Sequence, residues 1–141
     1  MTVDRPLPVF HGEERAYFER AAMGELVFQV CVACKAKIWY PRAVCPMCLS
    51  GELRFEASAG DGSVHSYSTL YRAGHVSLQP HVPYTVGLVD LDEGVRVLGE
   101  LLDPPEAIRV GLRVSVSFEP LGVDLAVPVF RSAQGGLQSA R

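Results

Sequence analysis

Four cysteines fall as two matched pairs, Cys31-Val32-Ala33-Cys34 and Cys45-Pro46-Met47-Cys48, and the chain contains no others. A Cys-x-x-Cys spacing bends the backbone into a knuckle that aims two thiolates at one point, so two knuckles supply the four sulfurs of a tetrahedral Zn²⁺. Four thiolates leave no coordination position for water or substrate, and the role expected of such a metal is to fold the chain. The same sulfurs have other readings: a disulfide, an iron site of rubredoxin type, or a site that has lost its metal. A secreted, disulfide-stapled scaffold fits poorly, because the stretch from Met1 to Arg5 lacks the basic and apolar regions of an export signal. A cytoplasmic protein is the expectation.

Other groups able to do chemistry are sparse. No Ser-containing nucleophile elbow, phosphate-binding loop or dinucleotide glycine fingerprint is present. His75 and His81 lie in a long connection, Arg72 to Pro83, without a carboxylate of its own to orient either ring. They read as turn or surface residues, as does His65 within a strand pattern. Asp90, Asp92 and Glu93 cluster where a hairpin must turn, and turn chemistry accounts for them. General acid–base work needs groups held against a substrate in an enclosed site, and no such set stands out.

The elements that must position the cysteines follow from periodicity. His11 to Met23 places Tyr17, Phe18, Ala21 and Ala22 at helical spacing, with Gly24 as a stop. Phe10, Tyr17 and Phe18 pack either on the protein's own ribbon or on another subunit. Residues 1–24 thus form an extension and helix. Leu26, Phe28 and Val30 alternate with Val27 and Gln29, giving a strand that enters the first knuckle. Lys37-Ile38-Trp39-Tyr40 is strand-like and sits between the knuckles, so a ribbon spans residues 25–56.

Beyond it, strands separated by Gly, Pro and Asp are expected at Gly62–Tyr71, Tyr84–Leu91, Val95–Leu102, Leu112–Phe118 and Val123–Phe130. In the first, Val64, Ser66, Ser68 and Leu70 should face one way and His65, Tyr67, Thr69 and Tyr71 the other. Pro128 argues for an edge position for the last. Mostly antiparallel strands with a helical turn before the fourth indicate a small Greek-key barrel of OB type over residues 57–131, with a flat sheet as the alternative. Residues 132–141, rich in Gly, Gln, Ser and Ala, read as a disordered tail. The fold class is mainly β: an N-terminal helix, a zinc ribbon, then a five-stranded barrel.

Composition agrees with a globular chain: 48% of residues are hydrophobic, 21% are charged and the net charge is −3. An acidic chain lacks the electrostatic footprint of a general nucleic-acid binder, although Lys35, Lys37, Arg42 and Arg54 give the ribbon local basic character. No apolar run is long enough to span a bilayer.

The ordered series of motifs resembles a known family. An aromatic helix ends in Gly24-Glu25-Leu26, and the two knuckles flank Pro41-Arg42. Gly62-Ser63-Val64-His65-Ser66-Tyr67-Ser68, Pro83-Tyr84-Thr85-Val86-Gly87-Leu88, Arg109-Val110-Gly111 and Val127-Pro128-Val129-Phe130 follow. Over about residues 10–131 this is similar to the domain-of-unknown-function-35 family, which pairs a rubredoxin-like zinc ribbon with an acyl-CoA-associated OB fold. The resemblance implies a non-catalytic accessory subunit that helps a thiolase-superfamily enzyme bind or channel CoA thioesters. The partner would be a thiolase, acyltransferase or aldolase that supplies the catalytic groups. It also implies structural Zn²⁺ on Cys31, Cys34, Cys45 and Cys48, and CoA or acyl-CoA as ligand of the complex.

A CoA site needs cations for phosphates and an aromatic surface for adenine. By residue chemistry the candidates are Lys35, Lys37 and Arg42 on the ribbon, with Tyr71, Arg72 and His75 at the first barrel loop. The competing readings are a single-stranded nucleic-acid OB module, which Tyr67 and Tyr71 support weakly as a stacking track, and an independent hydrolase using His75 or His81.

Overall fold

The computed structural model describes residues 5–133. From residue 134 onward the expected tail lies outside the described residues. Its first two residues are built into the barrel: Ser132 ends the last strand, and the Ala133 N–H donates to the Arg113 carbonyl at 3.0 Å.

Helix α1 (Glu14–Ala22) is shorter than its pattern predicts, because each end finds its hydrogen bonds elsewhere. The His11 N–H donates to the Glu14 carboxylate at 2.6 Å, and at the other end the Gly24 N–H reaches Ala21 and the Glu25 N–H reaches Arg20, both at 3.0 Å. Gly24 adopts φ +83°, the left-handed stop that a Cβ disfavours. Tyr17, Phe18 and Ala21 are buried. Their rings meet Trp39 and Tyr40 of the ribbon, with Tyr17 5.9 Å from Tyr40 and 6.2 Å from Trp39 between centroids. Within the chain, then, the aromatic stripe packs on its own ribbon.

The ribbon is an antiparallel sheet in the order β2-β1-β3, from β1 (Val27–Cys31), β2 (Lys37–Ile38) and β3 (Leu53–Ala57). Strand β3 is an addition to the sequence reading, though Leu53 and Phe55 alternate with Arg54 and Glu56. Strand β2 stops at Ile38, because Trp39 and Tyr40 leave the sheet to join the α1 aromatics. All of β1 is buried, whereas alternation predicts one wet face. Gln29 resolves the conflict: its Oε1 accepts the Arg42 N–H at 2.7 Å and its Nε2 donates to the Arg42 carbonyl at 3.0 Å. A buried amide so paired ties β1 to the approach to the second knuckle.

Strands β4 (Asp61–Leu70), β5 (Tyr84–Leu91), β6 (Arg96–Leu101), β7 (Arg113–Gly122) and β8 (Leu125–Ser132) close a barrel in the order β4-β5-β6-β8-β7. This is the OB fold, and closure removes the flat-sheet alternative. Val64, Val89, Val97, Val114 and Phe130 fill the interior, each worth roughly 1.5–3 kcal/mol of transfer free energy.

Two strand expectations are corrected. The register of β4 on β5 slips between Val64 and Ser66, so His65 is the extra residue of a β-bulge. A one-residue insertion exchanges the faces downstream, and Tyr67 and Thr69 share the face of Val64 instead of opposing it. The Thr69 and Thr85 hydroxyls accordingly meet at 2.8 Å. Strand β8 is no edge: it pairs with β7 along its length and with β6 through Glu100↔Val129 and Leu101↔Phe130. Pro128 is tolerated because the ladder to β6 starts only after it.

The ribbon meets the barrel at the β5–β6 turn. The Glu93 carboxylate accepts from the Ser58 hydroxyl at 2.7 Å and the Ala59 N–H at 2.8 Å, and the Glu93 carbonyl accepts from Lys37 Nζ. Burial opposes ionisation of Glu93, but the Ala59 and Ser58 bonds outweigh it and hold the carboxyl below its usual value. Because the folded value is the lower one, this stabilisation is present at neutral pH and is lost as pH falls through the lowered value. Glu93→Ala is expected to cost about 1–2 kcal/mol in urea unfolding at pH 7, with most of the difference gone near pH 3. An equal cost at both pH values would show that the carboxylate bonds are not responsible.

Candidate metal centre and apolar groove

Both knuckles present their sulfurs to one point. Cys31 ends β1, Cys45 opens the second knuckle, and these two are buried while Cys34 and Cys48 are exposed. The four Sγ atoms lie within 4.8 Å of one another, with Cys31–Cys48 at 3.5 Å and Cys34–Cys45 at 3.6 Å. A tetrahedron with Zn–S bonds of about 2.3 Å has sulfurs about 3.75 Å apart, so the donor set fits the ion. Backbone N–H groups also turn toward the sulfurs, from Cys34 to Cys31 at 3.5 Å and from Met47 to Cys45 at 3.4 Å. The Cys34 amide, foremost, brings the Cys31 thiol down to about 7. Such amides stabilise the thiolate form that binds metal. The geometry excludes a resting disulfide among these residues, since the shortest S–S separation is far above the covalent length of about 2.05 Å. An iron ion would be held by the same four sulfurs.

A second feature was not anticipated. A cavity of about 980 Å³ lies against the outer face of the barrel. Its floor is β5 and β6, through Tyr84, Val86 and Leu98, continued by Val127 and Val129 of β8. One wall is Tyr17 and Phe18 of α1 with Trp39 and Tyr40 of the ribbon, and the opposite wall is the 3₁₀ turn Val76–His81 in the β4–β5 connection. The second and third barrel strands and the loop between the first and second are where OB folds bind ligands. Part of the signal was in the sequence: outward-facing Tyr84, Val86 and Leu88 of β5 and Leu98 of β6 are apolar, although Asp90, Arg96 and Glu100 on the same face are charged, so the apolar stretch expects cover.

The polar groups of the cavity gather at Arg5, His81, Glu100 and Glu119. Arg5 Nη1 pairs with Glu119 Oε1 at 3.2 Å. Glu100 is half-buried, and its carboxyl is raised above the usual range, first by burial and then by the charge of Glu119. Burial also pushes the Tyr17 phenol well above its ordinary value, so it stays neutral and cannot serve as a base. Tyr17 Oη and Trp39 Nε1 are closed off from solvent without a hydrogen-bond partner.

None of the six CoA candidates lines this cavity. The ribbon and the first barrel loop line the same cavity, but through Trp39 and Tyr40 of the one and Val76 and Leu78 of the other, not through the six candidates. Lys37 donates to the Glu93 carbonyl. Among the described residues Lys35, Arg42 and Arg72 enter no ion pair, and Tyr71 is exposed. His75 caps its own turn, its Nδ1 accepting the Ser77 N–H at 3.2 Å and lying 2.8 Å from Ser77 Oγ. A ring nitrogen that already accepts a backbone N–H, with no carboxylate among its hydrogen-bond partners, is a cap and not half of a hydrolytic pair. The carboxylates of the β5–β6 turn are likewise engaged: Asp90 by Arg96 at 2.6 Å, Asp92 by Arg113 at 2.7 Å, and Glu93 by Ser58 and Ala59. Among the described residues no helix is long and apolar enough to cross a membrane.

Comparison with known proteins also finds a zinc ribbon followed by an OB fold. The family model for the rubredoxin-like zinc ribbon domain of ChsH2 matches residues 18–54, and that for the ChsH2 C-terminal OB-fold domain matches residues 55–119. A probable enoyl-CoA hydratase alpha subunit of Thermomonospora curvata is 35% identical over 130 residues, or 92% of this chain and 40% of that relative. The chain therefore spans about two fifths of that protein's length. A DUF35 domain-containing scaffold protein of Methanothermobacter thermautotrophicus is 32% identical over 90 residues, 62% of this chain and 67% of its own. Among solved structures, one described as an Ltp2-ChsH2(DUF35) aldolase superposes with a TM-score of 0.81 at 34% identity, over 90% of this chain and 99% of that one. With ribbon and barrel both matched in order and nearly all of that ChsH2(DUF35) chain covered, the protein belongs to the ChsH2 (DUF35) family.

Proposed function

We propose that this chain is the non-catalytic subunit of a complex in which a thiolase-superfamily enzyme performs carbon–carbon bond or acyl-transfer chemistry on CoA thioesters. The observation that carries the reading is the likeness over nearly its full length to a ChsH2 chain whose structure is that of an aldolase with Ltp2. Two features of the chain support it. No nucleophile–base pair is seen among the described residues, which accords with a partner supplying the chemistry. The barrel's binding face is an apolar, acid-edged cavity, which suits a thioester's organic portion better than a phosphate backbone. The same acidity weighs against the nucleic-acid reading.

In this reading zinc holds the ribbon that forms one wall of the cavity, and the protein works in the cytoplasm, where reducing conditions keep the four thiols available. Lys35, Arg42 and Arg72, with Lys37, Tyr71 and His75 nearby in sequence, provide the nucleotide end of CoA with cations and a stacking surface. Coexpression with a thiolase-like enzyme from the same locus tests the proposal. Copurification, and thioester turnover that disappears when this chain is left out, are expected. The pair Arg42→Ala and Arg72→Ala should raise KM for the thioester about tenfold, the equivalent of one lost charge-assisted hydrogen bond. A fully active enzyme that neither retains nor needs this chain would overturn the accessory role. An unchanged KM would remove the two arginines from the CoA site while leaving the complex standing.

A further inference from the structure

The cavity of about 980 Å³ is not a flat apolar face awaiting a protein. It is walled by four separate parts of the chain, and its volume lies in the range of small-molecule sites, which run from roughly 300 to 1,000 Å³. Its walls are mostly aliphatic and aromatic, so the body of a fitting ligand is apolar. Its polar end sets Glu100 and Glu119 beside Arg5 and His81. Arg5 already pairs with Glu119, leaving the charge of Glu100 without an ion-pair or hydrogen-bond partner among the described residues. A half-buried carboxylate facing an apolar space repels a phosphate or a second carboxylate, and accepts a hydrogen bond from a hydroxyl.

We propose that the groove receives the uncharged, apolar acyl body of the thioester, with Glu100 accepting a hydrogen bond from a hydroxyl carried on that body. The proposal rests on the CoA-thioester reading for the identity of the acyl group. It sets an orientation: the anionic nucleotide end stays outside the groove, and the acyl end lies between the barrel and the ribbon. It also makes Glu100 a specificity residue, admitting hydroxylated chains and rejecting those that end in an anion.

Trp39 is the chain's single tryptophan and stands in the cavity wall, so its fluorescence reports occupancy directly. The test titrates the full-length, zinc-loaded chain at pH 8 with 1-decanol, an apolar chain with a hydroxyl, and with decanoate, the same length with an anion. Decanol is expected to shift the Trp39 emission saturably, with decanoate at least tenfold weaker. Glu100→Leu should bring the two within about threefold. Leu98→Arg, at a half-exposed floor position where folding should tolerate the change, should abolish both responses while leaving the circular dichroism unchanged. No saturable response to decanol, or equal binding of the two probes by the unaltered chain, would overturn the proposal. Because the isolated chain is titrated, the result is independent of copurification. Decanol binding without an enzyme partner would sink the accessory reading alone, and a partner without decanol binding would sink the groove proposal alone.

Discussion

Stripping zinc from the purified chain is expected to unfold the ribbon and expose Trp39 to water. The knuckle end of the ribbon has only a small core of its own, Cys31, Ile38 and Cys45 with Ala36 and Leu53 packed beside them, whereas Val27, Phe28 and Val30 of β1 belong to the main core. Two of those three knuckle-end residues are metal ligands, so little apolar burial remains there when the ion leaves. Units of this size need a metal or a crosslink to fold, and a structural zinc supplies on the order of 10 kcal/mol. Chelation verified by metal analysis should therefore red-shift Trp39 emission and remove the ribbon's share of the β-sheet signal, while the barrel interior around Val64, Val89 and Val97 persists. Cys45→Ser should reproduce the effect without chelator. Trp39 emission unaltered after complete metal loss would mean that α1, through Tyr17, holds the segment unaided. Because Trp39 and Tyr40 also wall the groove, the same experiment should abolish decanol binding.

Much of this architecture was legible in the residues, for reasons that also explain what was not. The knuckle spacing is a local constraint, and local constraints survive folding: Cys31, Cys34, Cys45 and Cys48 converge as expected. Strand β5 runs from Tyr84 to Leu91, the bounds its alternation predicts, because Thr85, Val89 and Leu91 face the core in strict register. Periodicity failed where a long-range event intervened. The bulge at His65 depends on how β4 meets β5, which no alternation within β4 encodes. Pro128 signals an edge only if the sheet stays open, and closure through Val129 and Phe130 is decided by strands far apart in sequence. Gln29 looked like the wet half of a strand because its partner, the Arg42 backbone, lies beyond the first knuckle. The CoA candidates were chosen as cations for phosphates and an aromatic surface for adenine, criteria that select exposed positions. The groove is built from apolar outward positions such as Val86 and Leu98, which such a search passes over.

Closure of the barrel hangs on one ring, and removing it should have the largest effect of any single substitution in the OB domain. Phe130 is fully buried. It pairs with Leu101 across the short parallel ladder and with Val116 across the antiparallel one, and its carbonyl accepts the Leu102 N–H at 2.8 Å. Phe130→Ala should cost about 3–5 kcal/mol, the transfer term plus an unfilled cavity. The ring in turn dictates Gly99. A Cβ there would stand 2.7 Å from Phe130 Cε2 and 3.2 Å from the Pro128 carbonyl oxygen, so strand β6 approaches β8 only because that position carries no side chain. Gly99→Ala should therefore destabilise by about 1–3 kcal/mol through overpacking. The two costs share a cause and should not add. In a Phe130→Leu background, where the ring edge is gone, Gly99→Ala should cost at least about 1 kcal/mol less than in the unaltered chain, a coupling typical of residues in contact. Urea unfolding of the four proteins measures it. Additive costs would mean that the Pro128 carbonyl, not the ring, excludes a side chain at 99. Strong coupling would tie the packing inside the barrel to the groove outside it, since Gly99 lies between Leu98 and Glu100 on the strand that forms the groove's floor.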